Sequence, residues 1–228
     1  MTRRERIATA ERALARRDRV MAGLIRRAGP CTLAVRRQRS HFDALVRAIV
    51  YQQLAGRAAA AIHGRFLALF DGRGLTPAGV LALPEAALRS VGLSGAKTAS
   101  IRDLAAKSLD GTVPLTGLSR FSDEEIVQRL STVRGIGPWT AEIFLMFQLG
   151  RPDVWPVGDL GVRNGYRIAY GLPAMPTPKQ LVPLGEAYRP YRSVAAWYCW
   201  AAVHLERGDM RLPGGERLTA RRSRLDDD

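Results

Sequence analysis

Two glycines and a proline in the segment 134–139 form the part of this chain with the clearest capacity to bind a ligand. Gly135, Gly137 and Pro138 separate two stretches with helical patterning. Glycine lets a backbone approach a ligand closely, and proline suits the first position of a helix. The N–H groups at the start of the second helix would then attract a phosphate. The spacing predicts a helix-hairpin-helix that binds nucleic-acid phosphates without reading sequence, with a plain tight turn as the alternative.

Two carboxylates follow this turn and differ in their local setting. Asp153 comes after Arg-Pro and has the pattern of an ordinary turn residue. Asp159 lies in the segment PVGDLGVR, where a new helix is expected to begin. An aspartate at that position commonly caps the helix, because its side-chain oxygen accepts a bond from a main-chain N–H. Local spacing therefore leaves Asp159 either a helix cap or a reactive carboxylate.

The helices that must position these residues follow from apolar periodicity. Ser122 and Glu125 form a capping-box pattern, which predicts the helix before the hairpin. Apolar residues recur on one helical face through 41–54. Further helices are predicted over 3–27, 94–109 and 192–205. No segment alternates as a strand, so the chain is predicted to be all-α.

A polar cluster ends the predicted helix 41–54. Tyr51, Gln52 and Gln53 stand where this helix meets a turn. Solvent-facing amides at a helix end are the simple interpretation, and contact with a ligand is the other. Residues 207–228 are polar and mostly charged, and are expected to fray.

The net charge of +14 points to a polyanionic partner. Residues 1–39 alone carry twelve arginines against three acids, so this arm either contacts DNA or is a solvated helix face. Cys31 and Cys199 lie far apart, which argues against a disulfide framework and excludes a four-cysteine iron–sulfur cluster. No membrane span or cleavable signal is visible, and a cytoplasmic, nucleoid-associated location is expected.

The stretch VRGIGPWTAE, together with IVYQQLAGRAA and the later PVGD, resembles the helix-hairpin-helix (HhH-GPD) DNA glycosylase superfamily. Within it, the chain is similar to the 3-methyladenine glycosylase II branch, without the N-terminal β-domain that some members carry. The resemblance covers roughly residues 41–206. It implies a two-lobed helical fold with the active-site cleft between the lobes. The expected division is a helical barrel domain over 46–156, with 1–45 and 157–228 forming a discontinuous second domain.

The resemblance also implies roles for particular residues. Asp159 matches the family's catalytic carboxylate, about twenty residues after the hairpin in a Pro-x-x-Asp setting, and Asp153 does not. Gln53 matches the residue that fills the gap left by a flipped nucleotide. The base pocket is expected to contain Trp139, Trp200 and Tyr51. The DNA-binding residues are expected to be Gln52, Gln53, Leu54, Lys97, Arg134, Gly135, Gly137 and Thr140.

A monofunctional reaction is expected, in which water displaces the base and leaves an abasic site. Relatives that also cut the strand use a hairpin lysine to form a Schiff base. Here Trp139 occupies the corresponding position, and no lysine lies between Lys107 and Lys179. An alkylated purine carries positive charge, which the ring faces of Trp139 and Trp200 would attract. The predicted activity is therefore hydrolysis of the N-glycosidic bond of alkylated purines of the 3-methyladenine type.

No organic cofactor and no iron–sulfur cluster are expected. The resemblance implies a monovalent cation, sodium or potassium, at the hairpin, held by the main-chain carbonyls of Ser131, Val133 and Ile136. The expected partner is double-stranded DNA with alkylated bases, bound by a monomer. A non-catalytic helix-hairpin-helix DNA-binding protein and a glycosylase for another lesion class are the alternatives.

Overall fold

The computed structural model describes residues 2–35 and 40–208, and within these ranges every regular element is helical. The all-α prediction is therefore confirmed. The chain divides into a terminal unit, Met1–Ala34 with Gly150–Asp228, and a central unit, Val35–Leu149. The domain boundaries expected at 46 and 156 stay a prediction. Residues 209–228, most of the segment expected to fray, lie outside the described residues. None of the described helices is long and apolar enough to cross a membrane.

Short helices joined by turns make up the described part of the central unit. They are α3 (His41–Tyr51), α4 (Gly56–Ala68), α5 (Pro77–Ala82), α6 (Glu85–Ser90), α7 (Gly95–Leu109), α8 (Asp123–Ser131) and α9 (Pro138–Phe144). A 3₁₀ turn, Leu118–Arg120, precedes α8, and a π-helical turn, Leu145–Leu149, continues α9. The apolar stripe predicted through 41–54 is buried at Phe42, Leu45, Val46, Ile49 and Val50, but α3 ends at Tyr51, so Leu54 lies outside the helix and is exposed.

Local capping explains where α8 begins. Ser122 accepts a hydrogen bond from the N–H of Glu125, and the Glu125 carboxylate accepts one from the N–H of Ser122, so the predicted capping box is present. Such reciprocal bonds satisfy two N–H groups that have no partner inside the helix. The helix before the hairpin is thereby given a definite first residue.

The described terminal unit contains α1 (Arg3–Arg17), α2 (Arg19–Ala28), α10 (Leu160–Tyr170), α11 (Pro178–Leu184) and α12 (Arg192–Arg207), with a 3₁₀ turn at Glu186–Tyr188. Helix α12 is buried along most of its length and packs against α10 and α2. The approach of α10 to α12 depends on Gly165, since a Cβ there would lie 1.8 Å from the carbonyl oxygen of Cys199. Glycine thus sets the spacing of these two helices.

The single helix predicted over 3–27 is wrong in one respect, because Asp18 divides it. Asp18 ends α1 in an extended conformation, with φ −142°. Its carboxylate then accepts the N–H groups of Val20 and Met21 at 2.8 and 3.0 Å, which starts α2. An aspartate side chain competes in this way with the helical hydrogen bonds of its own backbone.

Candidate functional site

The predicted helix, turn and helix around residues 131–139 are present. Helix α8 ends at Ser131, Gly135 takes a left-handed conformation with φ 76°, and Gly137 precedes Pro138 at the start of α9. Gly137 has no side chain to cap the first N–H groups of α9. The turn therefore presents the start of a helix whose N-cap is main chain only, the arrangement that suits a phosphate.

Buried and exposed residues alternate through this turn. Val133 and Ile136 are buried, whereas Arg134 and Gly135 are exposed. The buried pair anchors the turn in the core of the central unit. The exposed pair and Gly137 are the part that can face a polyanion.

The segment after α3 meets the hairpin in space. The side-chain amide of Gln52 donates a hydrogen bond to the carbonyl oxygen of Gly135 at 2.9 Å, across 83 residues of sequence. Gln53 has φ 55°, a left-handed conformation uncommon outside glycine, and its side chain is exposed. Leu54 beside it is 38% exposed. Gln53 and Leu54 thus form a projecting tip, which we call the wedge tip.

Lys97 on α7 contacts the backbone that leads into the wedge tip. Its ammonium donates hydrogen bonds to the carbonyl oxygens of Val50 and Gln52, at 2.8 and 2.9 Å. Burial lowers the pKa of this ammonium from its usual value. A lysine ammonium has three N–H donors, so two of them are already used by the protein itself.

A cavity of about 590 Å³ opens between α3 and α9 within the central unit. Of the predicted site residues, six line it: Tyr51, Gln52, Gln53, Gly135, Trp139 and Thr140. Trp139 is 45% exposed and Thr140 is buried. The π-helical turn after α9 adds Phe147 and Gln148 to the wall. This volume falls in the range of cavities that bind small organic groups.

Arg47 is a lining residue that sequence reasoning missed. Its guanidinium carbon lies 3.9 Å from the centroid of the Tyr51 ring, a cation–π contact between residues four apart on α3. Among the described lining residues it is the one with a formal charge. Tyr51, which the resemblance placed in the base pocket, therefore has one ring face beside a cation. The i, i+4 spacing of Arg47 and Tyr51 is a signal that could have revealed this contact.

Asp159 is the N-cap of α10, in the terminal unit. Its Oδ1 accepts the N–H of Val162 at 2.8 Å and the indole N–H of Trp200 at 2.9 Å. The residue is only 9% exposed. The predicted helix cap at Asp159 is therefore present. The hydrogen bond from Trp200 is additional, because capping the helix does not require it.

Trp200 is placed against this carboxylate and is 6% exposed. Gly161 makes room for it, since a Cβ there would lie 2.8 Å from Cδ1 of the indole. A glycine two residues after Asp159 is the local signal for this packing. The role of Trp200 as a wall of the base pocket stays a prediction.

Asp153, which the sequence analysis interpreted as an ordinary turn residue, forms ion pairs with two arginines. Its Oδ2 lies 2.9 Å from Nη1 of Arg189, and its Oδ1 lies 2.8 Å from Nε of Arg192. These bonds tie the loop after α9 to the start of α12. Both partners lie far from Asp153 in sequence, so the turn interpretation did not include them.

The hairpin carbonyls expected to hold a cation lie on the turn after α8. The carbonyl of Val133 accepts the N–H of Ile136 at 3.0 Å, which leaves its second lone pair for another ligand. The hydroxyl of Ser131 is buried and has no hydrogen-bond partner. Among the described residues, no group of His, Cys, Asp or Glu side chains is placed to hold a metal ion.

Residues 46–187 match the family described as HhH-GPD superfamily base excision DNA repair protein, and the chain belongs to this superfamily. It is 37% identical to DNA-3-methyladenine glycosylase 1 of Schizosaccharomyces pombe over 72% of this chain and 73% of that protein. The chain is also similar to the structure of 3-methyladenine DNA glycosylase Mag1 of the same yeast, which was determined in complex with abasic DNA. The TM-score is 0.71 at 35% identity, and the match covers 84% of this chain and 95% of that one. A Bacillus halodurans DNA-3-methyladenine glycosidase has a TM-score of 0.78 at 35% identity, covering 86% and 90%.

The two hydrogen bonds to Asp159 predict how substitutions there affect stability. Asp159→Asn keeps an oxygen that can accept both bonds, so the free energy of unfolding should change by less than about 0.5 kcal/mol. Asp159→Ala removes the cap and leaves the buried Trp200 N–H without this acceptor, which should cost about 1–3 kcal/mol. Urea denaturation of the three proteins measures the difference. Equal stability of the Ala and Asn variants would contradict the bonding described for Asp159.

Proposed function

We propose that this protein is a monofunctional DNA N-glycosylase that removes alkylated purines of the 3-methyladenine type in base excision repair. The observation that carries this proposal is a helix-hairpin-helix with an uncapped glycine start, in a chain that also holds a buried carboxylate bonded by Trp200. Membership of the HhH-GPD superfamily and similarity to 3-methyladenine glycosylases support it. A non-catalytic DNA-binding protein would not require that carboxylate.

Binding precedes chemistry in this proposal. The N–H groups at the start of α9 hold a phosphate of double-stranded DNA, with Arg134, Gly135 and Gly137 facing the backbone. Gln53 at the wedge tip fills the gap when the damaged nucleotide leaves the stack. The cavity beside Trp139 receives the extruded base, which stacks on an aromatic face.

Asp159 carries the chemistry. The bond between the sugar C1′ and the base nitrogen breaks, and its electron pair leaves with the base, so a cationic alkylated purine departs neutral. Positive charge develops on the sugar, and the Asp159 carboxylate stabilises it. The oxygen of water then bonds to C1′ and its proton is released, which leaves an abasic site. Trp139 occupies the hairpin position of the Schiff-base lysine, so strand cleavage is not part of the reaction.

The protein acts as a monomer on DNA in the cytoplasm, at the nucleoid, and needs no organic cofactor. A sodium or potassium ion would fit the carbonyls of Ser131, Val133 and Ile136 beside the buried, unpartnered Ser131 hydroxyl. When bound there, the cation would supply positive charge next to a DNA phosphate.

The first test compares wild type with Asp159→Asn on methylated duplex DNA. Release of methylated purines should fall by about 10²–10³-fold, the scale for loss of one preorganised electrostatic group. Affinity for the duplex should stay equal or rise, because a negative charge near phosphate is removed. Chromatography of released bases and fluorescence anisotropy of binding measure the two effects. Parallel loss of binding and release would make Asp159 a structural cap only.

The charge of the cavity predicts substrate preference. Trp139→Ala should lower release of cationic 7-methylguanine relative to neutral hypoxanthine by about 2–30-fold, the range for a cation–π contact of ~0.5–2 kcal/mol. Arg47→Gln removes a like charge from the wall and should shift the same ratio toward the cationic base. The ratio of kcat/KM values for the two lesions is the measurement. Equal effects of each variant on both bases would count against charge selection in this cavity.

The cation at the hairpin has its own test, with undamaged duplex as the probe. Replacing sodium or potassium by a large organic cation at fixed ionic strength should weaken duplex binding, because the bridge between carbonyls and phosphate is lost. Anisotropy titrations in the two media measure it. Unchanged affinity would indicate that the carbonyls of Ser131, Val133 and Ile136 do not bind a cation that contacts DNA.

A further inference from the structure

Four polar residues follow one another along α7 at intervals of three or four positions. Lys97, Ser100, Asp103 and Lys107 therefore lie on one face of the helix, which we call the α7 polar stripe. Another face is buried and apolar, with Ile101, Leu104 and Ala105. A buried apolar face keeps the helix in place, so the stripe has a definite position in the central unit.

The first part of the stripe contacts the backbone that leads into the wedge tip. Lys97 binds the carbonyls of Val50 and Gln52, the residues on either side of the last residue of α3. Carbonyls at a helix C-terminus lack partners within the helix and carry partial negative charge, so an ammonium stabilises them. The next residue, Gln53, has the positive φ of 55°. A left-handed non-glycine residue costs free energy and persists only when its surroundings hold it.

The rest of the stripe contacts the hairpin. The Asp103 carboxylate accepts the N–H of Arg134 at 2.7 Å and the ammonium of Lys107 at 2.9 Å. Lys107 also donates to the carbonyl of Thr132. Burial alone would raise the pKa of Asp103, but the Arg134 N–H and Lys107 lower it below its usual value. The carboxylate therefore stays charged and acts as an anchor for the turn.

Ser100 lies between these two groups of contacts and fits closely against Gly135. A Cβ on Gly135 would be 2.6 Å from the Ser100 hydroxyl oxygen. That hydroxyl donates to the carbonyl of Ala96 at 2.9 Å, which fixes its direction. Gly135 in turn accepts the Gln52 amide, so the wedge segment and the hairpin are joined to each other as well as to α7.

We propose that α7 is the element that positions both DNA-contacting loops, with Lys97 holding the wedge tip and Asp103 holding the hairpin. Lys97 is then a positioning residue for Gln53. Its ammonium binds main-chain carbonyls, whereas the sequence analysis predicted that it would contact DNA. The proposal rests on the proposed function, because it assigns Gln53 the gap-filling role in DNA. No residue of the stripe needs to touch the damaged base.

The test measures the affinity of two duplexes, one undamaged and one with a tetrahydrofuran abasic analogue, over a range of salt concentrations. Lys97→Met should reduce the preference for the abasic duplex by about five- to tenfold, because the wedge tip no longer has a defined conformation to fill the gap. Binding to undamaged duplex and its salt dependence should remain those of wild type. Lys179→Met, the same change at an exposed lysine of the terminal unit, is the control and should leave the preference intact.

Asp103→Asn provides the complementary measurement. Loss of the charged anchor loosens the hairpin, so affinity for both duplexes should fall together by about three- to tenfold while their ratio stays constant. If Lys97→Met does not fold, Lys97→Arg replaces it, since the larger, planar guanidinium keeps the charge but does not match the compact, part-buried ammonium site. The same loss of abasic preference is then expected.

Two outcomes overturn the positioning role of Lys97. One is equal weakening of both duplexes by Lys97→Met with a salt slope lower by about one, which would assign Lys97 to a phosphate. The other is unchanged preference in Lys97→Met, or in Lys97→Arg when that variant is the one used. A wild-type protein without preference for the abasic duplex would instead contradict the proposed function, and this proposal with it.

Discussion

Gly137 starts α9 with no side-chain oxygen to cap it, and other contacts hold the turn that leads into this helix. Serine and threonine side chains cap α3, α5, α7 and α8, whereas α9 has no such cap. The turn before it then needs support from elsewhere. That support comes from the core, through Val133 and Ile136, and from the carboxylate of Asp103. The position of the helix start thus depends on the contacts that these neighbouring residues make.

Charge acts at two distances in this protein. The net charge of +14 attracts DNA over the range of a Debye length and does not distinguish one base from another. In the cavity, the Arg47 guanidinium lies on the Tyr51 ring, so the wall includes a positive charge. In the proposed function, selection for alkylated bases depends on the Trp139 face, on the weak glycosidic bond of such bases and on their easy extrusion.

Asp159 combines two uses of one carboxylate. Its Oδ1 caps α10 through Val162, and the same oxygen accepts the Trp200 indole. Both bonds come from neutral N–H donors, and they fix the position of this carboxylate oxygen. A fixed position is what the proposed role of Asp159, stabilisation of a sugar cation, requires.

The sequence alone determined the features that depend on neighbours within one helical turn. The capping box at Ser122, the hairpin glycines, the cap at Asp159 and the apolar stripe of α3 follow from spacings of two to four residues, and the structure contains all of them. The break between α1 and α2 at Asp18 is equally local, but the arginine- and alanine-rich composition of this segment favoured a single continuous helix. Only the tertiary structure decided which residues form hydrogen bonds across long stretches of sequence. Lys97 meets Gln52 across 45 residues and Trp200 meets Asp159 across 41, because the packing of whole helices brings them together. Periodicity specifies the face a residue occupies, whereas loop paths and helix packing select the partner on that face.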